Sequence, residues 1–161
     1  MKYCSDCGHP MVSQLSWPRR CSQCSRMFYR NPLPVVVALI GVEDGVLTVR
    51  RGIEPQKGQL ALPGGFVDGQ ERWQEAACRE VFEETSLVVQ PQEINLLEAT
   101  SVDSGHLLLF CTCESRTRQQ IDWQFRSAEV EELVWTRSPI ELAFPAHTHA
   151  LWRYMDTKKC Q

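Results

Sequence analysis

At 161 residues, with 43% apolar and 23% charged content, the chain is sized for one catalytic core plus a small appendage. It contains no apolar run near the roughly 18 residues that a membrane span needs. A formal net charge of −3 gives no broad basic field for gripping a long polyanion, so no nucleic-acid partner is expected. Small anionic substrates stay open, because a bound divalent cation reverses the local field of an acidic site.

The opening residues Met1 to Asp6 lack the apolar stretch of a secretory signal. A cytoplasmic location is therefore expected, with the eight cysteines as thiols or metal ligands. Cys4-Ser5-Asp6-Cys7 and Cys21-Ser22-Gln23-Cys24 are two Cys-x-x-Cys pairs separated by thirteen residues. Two such turns can deliver four thiolates to one structural zinc, filling its tetrahedral shell and leaving no open position for water. The alternatives are two disulfides or four unligated thiols, and both suit a reducing compartment less well. Metal would also supply stability to a segment too short for its own core. Cys78, Cys111, Cys113 and Cys160 have no comparable spacing. Cys78 reads as helix packing, and Cys111 and Cys113 as sharing one strand face.

Asn31-Pro32-Leu33-Pro34 marks a boundary, giving a ribbon over 1–31 and a second domain over 32–161. The β-branched run Val35 to Ile40, the turn Glu43-Asp44-Gly45 and Val46 to Val49 predict a hairpin. Pro55, Gly58, Pro63, Gly64, Gly65 and Gly69 predict a long loop without regular structure, crossing a site. A helix follows at about Arg72 to Thr85. Strands are expected at 94–100, 107–113 and 133–135, and a terminal helix at 146–158. Strands around two helices favour an α/β class with a mixed-sheet sandwich.

The helix carries the most information. At about 100° per residue, Glu80, Glu83 and Glu84 share one arc, and Ala77, Cys78, Val81 and Phe82 occupy a neighbouring arc that can face the core. Carboxylates at i, i+3 and i+4 repel by a few tenths of a kcal/mol per pair in an isolated helix. Magnesium or manganese would offset that repulsion, since these hard ions take carboxylate and carbonyl oxygens. A solvated acidic face with i,i+4 pairs to Arg79 is the plainer alternative.

Gly65, Glu71, Arg79, Glu80, Val81, Glu83, Glu84 and Leu87 match, in register over 23 residues, the pattern of the Nudix box. The segment thus resembles that of the Nudix hydrolase family. The departure is Ser86, where the family has glycine at a left-handed helix exit. The resemblance implies an α/β/α sandwich with a mixed sheet and the box as loop, helix, loop. It also implies Mg2+ or Mn2+ held by Glu80, Glu83, Glu84 and the Gly64 carbonyl, with Glu71 paired to Arg79 to brace the loop. The implied chemistry is attack of an activated water on a pyrophosphate phosphorus. Glu129, six residues before Trp135, looks like the downstream glutamate of NADH pyrophosphatases and is the candidate general base. Glu83 is the alternative, and Glu129 also reads as one of the solvated acids in Glu129 to Glu132.

A ribbon followed by Asn31-Pro32 looks like the zinc-ribbon subgroup, which includes NADH pyrophosphatases and FAD and ADP-ribose pyrophosphatases. The NADH type carries a Ser-Gln-Pro-Trp-Pro-Phe-Pro signature, where this chain reads Thr100-Ser101-Val102-Asp103-Ser104-Gly105-His106. Arg51-Gly52-Ile53-Glu54-Pro55 looks closer to the FAD and ADP-ribose type. The expected partner is a small nucleotide, with homodimers frequent in the family. Arg50 and Arg51 are candidates for phosphate oxygens, and Phe66, Trp17, Phe144 or Trp152 for base stacking. His147 and His149 are expected at the solvent surface. Two competing readings are a catalytically dead Nudix scaffold with a zinc-dependent interaction role, and a nucleic-acid-binding ribbon using Arg19, Arg20, Arg26 and Arg30.

Overall fold

In a computed structural model, residues 2–11 and 17–159 are described, with Lys159 by its backbone alone. Cys160 lies outside them. The chain divides into two compact units, Met1–Pro32 and Leu33–Gln161.

The first unit is built on two matching turns. The Gly8 amide donates to the Cys4 carbonyl and the Ser25 amide to the Cys21 carbonyl, each at 3.0 Å. Gly8 and Ser25 both take positive φ, 70° and 62°. A short antiparallel pair, β1 (Arg19–Arg20) and β2 (Met27–Phe28), straddles the second turn.

In the second unit, β3 (Leu33–Val42) is the central strand. It pairs in parallel with β8 (His106–Thr112) along 33–39, and β8 pairs antiparallel with the edge strand β7 (Asn95–Val102). Its other edge is shared. β6 (Gly64–Phe66) takes Val35 to Val37, and β4 (Gly45–Arg51) takes Ile40 to Val42. β4 continues to β5 (Leu60–Ala61) and β9 (Val130–Thr136). Between β6 and β4 the Ala38 amide is met by the Pro63 carbonyl at 2.8 Å. The box loop therefore enters where the strand changes partners.

Both faces of β3 are buried, which explains why its run is continuously apolar. Val36, Ala38, Ile40 and Val42 pack with Ala76, Ala77 and Val81 of α1 (Trp73–Thr85). Val37 and Leu39 pack with Ala150, Leu151 and Met155 of α2 (Pro145–Lys159). The architecture is a mixed-sheet α/β/α sandwich preceded by the four-cysteine unit.

Three expectations need correction. The glycine- and proline-rich loop contains two short strands: β5 pairs with Val49 and Arg50, and β6 forms because glycine permits a backbone approach that a side chain would block. A Cβ on Gly64 would lie 2.1 Å from the Val36 carbonyl oxygen. Phe82 does not face the core: it is 54% exposed, and the buried side chains of α1 are Ala76, Ala77, Val81, Glu84 and Thr85. The helix is rolled toward Glu84 and away from Phe82. His147, expected at the surface, is buried, whereas His149 is exposed.

Candidate functional site

The cysteine cluster is closed. All four Sγ atoms lie within 4.8 Å of one another, with Cys4 to Cys24 at 3.6 Å and Cys7 to Cys21 at 3.7 Å. Disulfides would bring the sulfurs to about 2.05 Å. A tetrahedral ion with bonds of about 2.3 Å needs sulfurs about 3.8 Å apart. The donor set and spacing therefore fit a metal of the zinc type. The Cys21 thiol is pulled down to about 7, first by the hydrogen bond from the Cys24 backbone, whereas Cys7 and Cys24 are raised, the backbone hydrogen bonds from His9 and Arg26 being outweighed by burial and the neighbouring thiols.

The glutamate site is open by comparison. Among the described residues, the four cysteines are the only group of three or more acids, histidines or cysteines gathered that tightly. Glu84 sits on the last turn of α1, 7% exposed, and accepts one hydrogen bond from the Gly64 amide at 2.9 Å. Burial pushes its carboxyl up to about 8, and the charges of Glu80 and Glu129 add to the rise. Burial also raises Glu80, against the opposing pull of Arg79. A Cβ on Gly65 would meet the Glu80 carboxyl at 2.4 Å. Glycine there makes the room in which that carboxylate lies.

Arg79 is the only cation bonded to these acids among the described residues. Its guanidinium reaches Glu71 at 2.7 Å, Glu80 at 2.7 Å, the exposed Glu83 at 3.2 Å and the Phe66 carbonyl at 2.9 Å. Glu71 also accepts the Asp68 amide at 2.9 Å, so Glu71 and Arg79 tie the loop to the helix. The Arg79 bond holds the Glu71 carboxyl below its ordinary range. A buried carboxylate with one amide donor, beside a second raised carboxylate and an exposed third, is a hard-oxygen set short of positive charge. A divalent ion of the magnesium type fits it.

The structure brings in Glu129 from the loop before β9. Its carbonyl accepts the Gly52 amide at 2.7 Å, and its charge reaches Glu80 and Glu84. Arg51 joins from the end of β4. Its guanidinium lies 5.1 Å over the Phe144 ring, and its charge opposes the rise at Glu84. Arg50 points elsewhere, bonded to Glu132 at 2.6 Å and the Gly58 carbonyl at 2.9 Å. Phe66 is exposed, its ring 5.5 Å from His106. Trp152 donates to the Ile140 carbonyl at 3.0 Å, and Trp17 lies in the ribbon under Arg19. Sequence reasoning missed the stacking of Phe144 with Arg51 and the burial of His147, since neither belongs to a motif.

Ser86 caps α1 at φ 60°, ψ 5°, its amide donating to the Phe82 carbonyl at 2.9 Å. The left-handed exit forms without glycine.

Among proteins of known sequence, the chain is 34% identical over 90 residues to an NAD-capped RNA hydrolase NudC from Edwardsiella ictaluri, covering 55% of this chain and 35% of that one. It spans between 35% and 47% of the length of the curated relatives it matches. A NUDIX hydrolase from Nitrosomonas europaea superposes with a TM-score of 0.71 at 24% identity, covering 99% of this chain and 93% of that one. The NUDIX domain of Shewanella oneidensis NrtR, complexed with ADP ribose, superposes at 0.61 with 21% identity, covering 83% and 91%. Residues 31–154 match the NUDIX domain, and the chain belongs to the Nudix hydrolase family.

Proposed function

We propose that this protein is a metal-dependent pyrophosphatase that cleaves a nucleoside-diphosphate-linked compound of the FAD or ADP-ribose type, releasing a nucleoside monophosphate. The observation that carries the reading is the Glu84 carboxyl, buried on the Gly64 amide and, among the described residues, without an ion-pair partner. A buried acid without compensation costs stability, and such sites recur where function needs them.

Glu80, Glu83, Glu84 and the Gly64 carbonyl would hold Mg2+ or Mn2+. Bound there, the ion supplies positive charge to the pyrophosphate oxygens and acidifies a water. Glu129 accepts the proton of the attacking water, with Glu83 as the alternative base. Arg51, whose charge reaches this acidic region, neutralises phosphate oxygens of the substrate. Arg50 is committed to Glu132 and Gly58 and shapes the loop after β4. The exposed Phe66 ring offers a stacking surface. Arg79 and Glu71 keep the loop against the helix. In the ribbon, Cys4, Cys7, Cys21 and Cys24 hold structural Zn2+.

A second reading, an NAD-type dinucleotide, is favoured by the names of the sequence relatives. Against it, residues 100–106, which end β7, turn at 103–105 and begin β8, lack the aromatic and proline signature. Purified protein with Mg2+ or Mn2+ is assayed on FAD, ADP-ribose, NADH, nucleotide sugars and nucleoside triphosphates. AMP from FAD or ADP-ribose supports the first reading, and preference for NADH supports the second. Silence across the panel with metal bound overturns both. Glu129→Gln then tests the first base: a loss of about 100-fold or more in kcat with Mn2+ affinity unchanged supports it, and retained kcat favours Glu83.

A further inference from the structure

Helix α2 does more than cover the second face of the sheet. His147, in its first turn, is 8% exposed, and its Nδ1 accepts the Leu62 amide at 3.3 Å in a buried bond. Just upstream, the Ala143 amide donates to the Leu60 carbonyl at 2.7 Å. On its other side, this same stretch is held by the Pro63 carbonyl on Ala38 and by the Gly64 amide on Glu84. Residues 60–64 are thus clamped between the start of α2 and the acidic helix.

The rings extend the clamp. His147 packs 5.0 Å from Phe144 and edge-on to Phe110 at 5.8 Å, and Phe144 carries Arg51 on its ring. One imidazole therefore touches both the segment that leads to Gly64 and the ring under Arg51, whose charge acts on Glu84.

We infer that His147 is a positioning residue that latches Leu62, and through it Gly64, at the distance where Glu84 is held, and that steadies Arg51 through Phe144. The inference rests on the functional reading above. As acceptor, Nδ1 must be unprotonated, with the proton on Nε2. Burial, reinforced by the Arg51 charge, lowers the imidazole to about 4, so the acceptor persists at neutral pH. Removal of the acceptor strands the buried Leu62 amide, and the loop relaxes to find it another partner.

The test uses the full chain. His147→Phe keeps a ring without an acceptor, and His147→Asn keeps an acceptor at the position of Nδ1. Hydrogen exchange at the Leu62 and Gly64 amides is followed in metal-free protein, Mn2+ affinity by electron paramagnetic resonance without substrate, and then kcat and KM. His147→Phe should exchange faster at both amides, bind Mn2+ about ten-fold more weakly and lose kcat in proportion. His147→Asn should recover most of each. Phe144→Leu, which leaves the Leu62 bond, should raise KM while exchange and Mn2+ affinity hold. Exchange and Mn2+ affinity unchanged in a folded His147→Phe overturn the latch, and His147→Met replaces it if the Phe variant does not fold. If wild type neither binds Mn2+ nor turns over substrate, the functional reading fails, while altered amide exchange still supports the latch.

Discussion

The cysteine cluster and the glutamate site solve the same problem, gathering anionic ligands, in opposite ways. The four sulfurs lie within 4.8 Å of one another, brought together by two nearly identical local turns and a two-residue strand pair. The glutamates come from one helix, but their site also needs a loop pinned against β3, the end of β4 and the segment before β9. Its acids are kept apart, with Arg79 across Glu71, Glu80 and Glu83, and Glu84 buried on a single amide. A closed site suits an ion that stays, and an open one suits an ion that must share its coordination with substrate.

The largest effect should come from breaking the closed site. Cys21→Ser, or strong chelation, should release the zinc proposed for the cluster and unfold the described ribbon residues, because binding worth about 10 to 16 kcal/mol is folding free energy for such modules. Metal analysis and near-ultraviolet dichroism would read it. Retained zinc and structure would show that the cluster is not the site.

Glu84→Gln should lower turnover by about 100-fold or more while leaving zinc content and secondary structure intact. Unchanged turnover would remove the helix from the metal site and leave only the ribbon as a metal centre.

The pH dependence of stability sharpens the contrast. The native carboxyl of Glu84, at about 8, lies above its ordinary 4.5. Between those values the native state holds a proton that the unfolded state has lost, so metal-free stability falls as pH rises through this window. Wild type should therefore melt progressively below Glu84→Gln from about pH 4.5 to about pH 8, and added Mg2+ should narrow the gap. A gap that does not vary with pH would mean that Glu84 is ionised and compensated without metal.

The smallest effect concerns two left-handed serines, one in each region. Ser86→Gly should stabilise the second unit by about 1 kcal/mol, since glycine takes positive φ without the Cβ clash. Ser25→Gly should help less, because it gives up the hydrogen bond from Arg20 at 2.9 Å. Thermal melts of the two variants would rank them.

Local pattern made much of this legible. The predicted helix over 72–85 is found at Trp73–Thr85, and the terminal helix over 146–158 at Pro145–Lys159. Periodicity failed at Phe82, because Glu84 bonded to Gly64 and Glu80 seated against Gly65 roll α1 toward its acids. It failed again at β5 and β6, where the signal of a breaker-rich loop concealed strands whose partners lie far away in the chain.

The ribbon turns, the acidic helix and its register with the Nudix box were determined by sequence alone, since each depends on residues within a few positions of one another. Tertiary structure alone decided that Glu84 is buried beside Gly64, that Glu129 and Arg51 share its neighbourhood, that Arg50 is spent on Glu132, and that His147 reaches Leu62. These depend on which strands meet at the partner change of β3, and on how burial shifts an acid or an imidazole that would titrate ordinarily in water.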